Sequence, residues 1–262
     1  MIFRHIYHAL NARIQNWQSI HFEKTKYGKK IASLKDIHKG EKCFVVGNGP
    51  SLTAADLDRI ADSGIPSFGM NRVFNIFPMT KWRPTYYASE DILILRDTVN
   101  EVAAIPSKEK FIPINLHWFE EINLENVNYF WMDYVSDMKE TFDLSLDAAH
   151  SIRCRGTVTT TCIQLAIYMG FSEIYLIGTD HNYSKVIDEN GNVVEDKSVK
   201  DYFVDNYDED IKDQVVHDMR APTRAFCDVE QLSRKLKTFR VYNATRGGKL
   251  EVFERVDFDS LF

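Results

Sequence analysis

The stretch Lys42-Cys43-Phe44-Val45-Val46-Gly47-Asn48-Gly49-Pro50-Ser51-Leu52 constrains this chain more than any other. An apolar, β-branched run stops at Gly-Asn-Gly, and a proline then leads into a helical pattern reaching about Ile60. The order is strand, glycine turn, helix. Gly47 and Gly49 permit backbone angles and close approaches that a Cβ forbids. Pro50 suits a first helical turn, where its missing N–H is not needed. Free N–H groups and the dipole of a helix start favour an anion, typically a phosphate.

Downstream, short apolar runs alternate with helical patterns. Strands are expected at 43–47, 66–70, 84–89, 109–114, 128–132, 173–178 and 238–243, and helices at 53–62, 92–104, 157–169 and 222–237. This alternation predicts an α/β, doubly wound, mostly parallel Rossmann-like sheet. Ligands of such sheets sit beyond the carboxyl ends of the strands, so those loops hold the candidate site. The first offers Gly47, Asn48, Gly49 and Ser51. The second offers Asn71, for a base or ribose, and Arg72, for a phosphate. The third ends in Ser89-Glu90-Asp91, carboxylates placed for a ribose, a hydroxyl or a metal, with Asp91 equally suited to cap a helix. The sixth, Glu173 to Ile177, closes in Gly178-Thr179-Asp180-His181.

A second anion site is expected at 153–170, where threonines at 157, 159, 160 and 161 crowd a helix start beside Arg153 and Arg155. A polar, acidic segment at about 184–216 reads as a lid, closed by His217 and Arg220. Leu52 stands where a dinucleotide fingerprint has its third glycine, and Asn71-Arg72 where it has an acidic residue, which argues against NAD or FAD.

The 262 residues, 44% apolar and 27% charged, suit one large globular domain with a sizeable core. Cys43, Cys154, Cys162 and Cys227 are widely spaced and read as reduced thiols, not as a zinc site or disulfide frame. Residues 1–40 hold eight Lys and Arg against Glu23 and Asp36, although the net charge is −6. The acidic remainder argues against nucleic-acid binding. In residues 1–22, Ile2, Ile6, Leu10, Ile14 and Trp17 fall at helical spacing. Such a basic amphipathic helix suits an anionic membrane surface, its own domain or a second subunit. Residues 23–40 read as a linker, giving a head at 1–40 and a catalytic domain at 41–262. With no secretory signal and no spanning segment, the expected location is cytoplasmic, peripheral at the inner face of the membrane.

The ordered set Gly47-Asn48-Gly49-Pro50-Ser51-Leu52, Asn71-Arg72, Pro84 to Asp91, Gly178-Thr179-Asp180 and Asn243-Ala244-Thr245-Arg246-Gly247-Gly248 resembles the MptE-like family. That family includes 6-hydroxymethylpterin diphosphokinases and motility accessory factors implicated in flagellin glycosylation. The set is also similar to the family 42 bacterial sialyltransferases. The latter resemblance implies a CMP-activated nonulosonic acid donor and inverting, cofactor-free transfer to a glycan or lipid-linked acceptor in surface glycan biosynthesis. It puts Asn48, Asn71 and Thr157 near the donor, Gly178, Thr179 and Asp180 at the ribose and base, Tyr183 at the leaving phosphate and His217 as general base. Departures are Val158 for a serine, Ala88-Ser89 for an asparagine and His181 for an aromatic. The MptE-like branch implies pyrophosphate transfer from ATP, with magnesium on carboxylates such as Asp91 or Asp180. A non-catalytic nucleotide-binding protein, and a homo-oligomer, fit the same residues.

Overall fold

The computed structural model describes residues 17, 20–120, 122–134, 144–187, 190–205, 207 and 216–262. In chain order the strands are β1 Lys42–Val46, β2 Ser67–Met70, β3 Tyr86–Ala88, β4 Glu109–Pro113, β5 Asn128–Phe130, β6 Met132–Tyr134, β7 Ile152–Cys154, β8 Glu173–Ile177, β9 Lys185–Ile187, β10 Val193–Glu195, β11 Arg240–Asn243 and β12 Glu254–Arg255. The α-helices are α1 Lys26–Ala32, α2 Ala54–Ser63, α3 Ile92–Asp97, α4 Val99–Ala104, α5 Ile114–Phe119, α6 Val158–Tyr168 and α7 Arg220–Leu236.

Eight strands form one sheet in the order β12-β11-β8-β1-β2-β3-β4-β5, and every neighbouring pair is parallel. The fold is a doubly wound, Rossmann-like α/β sheet. Strand order reverses between β1 and β8, which pair from Lys42–Glu173 to Val46–Ile177. Both faces are covered, which is why β1 is an unbroken apolar run and does not alternate. Cys43 and Val45 face a core built with α6 and α7, and Phe44 and Val46 face one built with α2. In α6, ten of eleven residues are buried, Thr159, Thr160, Thr161 and Gln164 among them, so it is a helix of the interior.

Four expectations changed in detail. The helix expected at 92–104 is two helices, because the Thr98 hydroxyl donates to the Ile94 carbonyl (2.6 Å) and Thr98 leaves helical geometry at φ −124°. Strands β6 and β7 pair outside the main sheet, and β9 and β10 form a hairpin in the segment read as lid. The glycine turn does not run straight into a helix: α2 starts at Ala54, capped by Thr53 through the Asp56 amide (3.1 Å). Finally, the segment 23–40 carries α1, whose Ile31 is fully buried and whose Lys30 Nζ donates to the Val127 carbonyl at 3.2 Å. Thr25 caps that helix.

Of the amphipathic helix expected at 1–22, only Trp17 and residues 20–22 are described, and the rest lies outside the described residues. Phe22 is buried in the core. Cys43, Cys154 and Cys162 are buried free thiols and Cys227 an exposed one. Among the described residues no helix is long and apolar enough to cross a membrane.

Candidate functional site

A cleft of about 710 Å³ opens at the carboxyl edge of the sheet, over the β1–β8 reversal. It brings together the loops after β1, β2, β3 and β8, the start of α6, the lid and the approach to α7. Of the sequence-derived site residues, Gly47, Asn48, Gly49, Asn71, Arg72, Asp91, Thr157, Gly178, Thr179, Asp180, His181, Tyr183 and His217 line it. Ser51 and Ser89 do not line it. Each instead holds a side chain that does.

The glycine turn is a joint before it is a cradle. Gly47 N donates to the Ile177 carbonyl (2.8 Å) and Gly49 N to the Gly178 carbonyl (2.8 Å). The Ser51 hydroxyl (2.7 Å) and amide (3.3 Å) both donate to Asp180 Oδ2. The N–H groups expected to meet a phosphate are therefore spent on β8 and its loop, Asn48 N–H excepted. The reason is steric as much as polar. A Cβ on Gly47 would stand 2.9 Å from the Gly178 carbonyl carbon, and one on Gly49 would overlap the Asp180 carboxylate. Neither glycine is needed for a positive φ. Burial raises the Asp180 pKa, opposed by the two Ser51 donors.

Asn71 sits at φ 48°, a left-handed geometry that asparagine tolerates. Its Oδ1 accepts from Ser89 Oγ (3.0 Å) and its carbonyl from Tyr87 Oη (2.8 Å). The side-chain NH₂ is thus the donor that Asn71 presents. Thr157 caps α6 by accepting from the Thr159 amide. Of the two arginines expected beside it, Arg155 lines the cleft and is buried, whereas Arg153 pairs with Asp133 at 3.5 Å. Asp91 caps α3 through Leu93 N (2.8 Å) and Ile94 N (3.3 Å).

The lid lies on the glycine turn through a run of aromatic rings. His217 stacks on Tyr183 (centroids 3.7 Å apart, 17°), Tyr183 meets Tyr202 edge-on at 6.3 Å, and Tyr202 stacks on Tyr207 at 3.9 Å. Tyr207 Oη accepts from Asn48 Nδ2 (2.8 Å) and from Arg72 N (3.2 Å), and Arg72 Nη1 donates to the Tyr207 carbonyl at 2.9 Å. Phe203 N also donates to the Asn48 carbonyl (3.1 Å). Arg72, expected to meet a phosphate, is here a strut between turn and lid. Burial lowers the pKa of His217, with Asp201 opposing, and lifts that of Tyr183 to about 12. At neutral pH His217 is an uncharged base and Tyr183 an O–H donor.

Sequence reasoning missed Tyr202, Tyr207 and Asp201, and it did not single out Glu90 from its neighbour Asp91. The Glu90 carboxyl lines the cleft, accepts from Thr161 Oγ1 (2.5 Å) and has its pKa raised by burial. The pair Glu90-Asp91 was visible, but nothing local separates the capping carboxylate from the buried one.

Removing the Tyr207 hydroxyl tests the lid contact. Tyr207→Phe leaves the Arg72 amide buried without its acceptor, a loss of about 1–3 kcal/mol. Amide exchange at Phe203 is expected to accelerate while that of Val45 does not. Equal rates in both proteins would show that the hydroxyl does not hold the lid.

The family model described as 6-hydroxymethylpterin diphosphokinase MptE-like matches residues 19–186. That is more than half of the chain, which therefore belongs to the MptE-like family. Among solved structures the chain is similar to the MAf glycosyltransferase from Magnetospirillum magneticum AMB-1. The TM-score is 0.50 at 15% identity, over 93% of this chain and 39% of that one. It is also similar to the sialyltransferase CstII from Campylobacter jejuni in complex with a substrate analogue, cytidine-5'-monophosphate, with a TM-score of 0.49 at 15% identity over 83% of this chain and 85% of that one. These structural neighbours are glycosyltransferases, and at such identity the likeness concerns the fold. This chain spans about two fifths of the Magnetospirillum protein's length. A comparison with curated proteins gave no match.

Proposed function

We propose that the cleft binds a nucleotide-activated sugar, of the CMP-nonulosonic acid type, and transfers the sugar with inversion to a hydroxyl of a glycan or lipid-linked acceptor. In that step the acceptor oxygen bonds to the anomeric carbon as the bond from that carbon to the phosphate oxygen breaks. The hydroxyl proton passes to His217. The observation that carries the reading is His217 stacked on Tyr183, across a cleft floored by Gly47–Gly49 and Gly178–Asp180. A neutral imidazole suits proton abstraction near pH 7. Tyr183, held as an O–H donor, suits the departing phosphate. Asn48 and the Asn71 NH₂ suit the nucleotide.

The family's description as 6-hydroxymethylpterin diphosphokinase MptE-like supports a second reading, pyrophosphate transfer from ATP. Magnesium would then be held by carboxylates of the cleft and would steady charge on the phosphates. Asp91 and Asp180 are the carboxylates for that task, and each already spends an oxygen on protein donors. Among the described residues no three His, Cys, Asp or Glu side chains come together as a metal-binding set. Magnesium on a nucleotide takes only one or two carboxylates beside the phosphates, and glycosyl transfer stands first on the stacking of His217 on Tyr183.

Calorimetric titration of the protein with CMP, CDP, UDP, GDP and ATP, with and without magnesium, separates the readings. Metal-independent binding of CMP or CDP is expected. Binding of ATP that requires magnesium would replace the proposal with the diphosphokinase. Silence on all five would leave a non-catalytic role.

A further inference from the structure

His181 stands where the loop after β8 turns toward α7, in left-handed backbone geometry at φ 54°. Its ring lines the cleft and meets Phe226 edge-on at 5.5 Å. Nε2 lies 2.7 Å from Thr223 Oγ1. That hydroxyl has one proton, and it goes to the Met219 carbonyl at 2.6 Å. Thr223 Oγ1 can therefore only accept from the imidazole, so the proton of a neutral ring is on Nε2. Nδ1 is then a lone-pair acceptor, with no hydrogen-bond partner among the described residues. Burial pushes the pKa of His181 down to about 4, which keeps the ring neutral near pH 7. The ring cannot turn over without giving up the Thr223 bond. A non-glycine residue held at positive φ beside a cleft is strain of the kind that functional sites keep.

We propose that His181 is a specificity-determining residue, its Nδ1 serving as a fixed acceptor for an N–H or O–H donor of the bound nucleotide, with Thr223 as the positioning residue that sets its tautomer. The inference rests on the nucleotide reading of the cleft. It adds which atom reads the ligand and in what sense. A carbonyl or phosphate oxygen facing Nδ1 would meet a lone pair and be repelled, so the group selected is a donor. On a cytidine nucleotide that donor is the exocyclic amine of the base or one of the two ribose hydroxyls, 2′ or 3′.

Two measurements test this. In the free protein, long-range proton–nitrogen NMR of the histidine rings is expected to show His181 as the neutral Nε2–H tautomer at pH 7. An Nδ1–H or doubly protonated ring overturns the proposal, with no ligand involved. In calorimetry, His181→Phe and Thr223→Val are each expected to bind CMP about tenfold more weakly than the parent, the loss of one buried hydrogen bond. Thr223→Val is close to isosteric and guards against a failure of His181→Phe to fold. The penalty is expected to vanish with UMP if the base amine is the partner, or with 2′-deoxyCMP or 3′-deoxyCMP if a ribose hydroxyl is. The same penalty on all four nucleotides means a structural effect and overturns the proposal, as does unaltered CMP binding by both variants. A parent protein that binds no nucleotide refutes the underlying reading, while the NMR signature still decides the tautomer.

Discussion

Gly47→Ala is expected to lower the melting temperature by about 6–12 °C and to abolish nucleotide binding. The methyl group would overlap the Gly178 carbonyl and stand 2.9 Å from Thr179 Oγ1. The main obstacle is backbone, which has no rotamer to escape into. Relief requires the carboxyl ends of β1 and β8 to separate, and that breaks the Gly47 N to Ile177 bond (2.8 Å). Overpacking costs about 1–3 kcal/mol where side chains can adjust, and the upper end applies here. About 3 kcal/mol corresponds to the stated shift at about 2–4 °C per kcal/mol for a chain of this size. Gly69→Ala is the comparison. Its Cβ would meet side-chain carbons of Pro84 and Val73 at 3.0 Å, which can yield, so the expected loss is smaller. Scanning calorimetry of both variants reads the difference, and equal melting temperatures would show that the joint has slack.

His217→Ala is expected to reduce turnover about 10²–10⁴-fold, the range for removing a general base, while nucleotide affinity stays within a few-fold of the parent. The sign of the pH effect follows from the ring's surroundings. Burial lowers its pKa from the ordinary 6.5, and the neutral form is the base. Activity is therefore present at neutral pH and falls as pH drops through a value below 6.5. The acid limb should disappear in the variant. A variant that keeps its turnover, or an acid limb that survives the substitution, would remove His217 from the mechanism.

The core of this fold was legible because buried parallel strands leave a plain trace. Lys42–Val46 and Glu173–Ile177 are apolar runs that end at glycines, and Thr53 and Thr157 stand at their helix starts as caps. The loops that meet at the cleft followed from topology. What did not follow was the state of each group. That the Gly47 and Gly49 N–H groups are bonded to β8, that Ser51 is spent on Asp180, and that Arg72 braces Tyr207 are consequences of contacts between distant segments. Strands β6 and β7 hold three residues each, too few for a period to register. Tyr202 and Tyr207 lay in an acidic stretch whose composition speaks of solvent, and only stacking across the cleft gives them a place. The closing Asn243-to-Gly248 segment entered the sequence reading through the family resemblance. It braces the site from behind, where Thr245 Oγ1 accepts from Thr179 N at 3.2 Å and Lys249 N donates to the Asp180 carbonyl at 2.7 Å.

The order of strands in the sheet also governs how the chain can be assembled on the ribosome. β1 is central, yet one of its edges is covered only by β8, whose first residue, Glu173, pairs with Lys42. Until that segment has emerged, β1 to β5 can pair only as a half-sheet with an open, apolar edge, although α6, which precedes β8 in the chain, is already available to cover one face. An uncapped parallel edge of this kind is a template for pairing with other chains. The joint that makes the cleft therefore forms only once β8 is available, and a nascent chain arrested before Glu173 leaves the β8-facing edge of β1 unpaired.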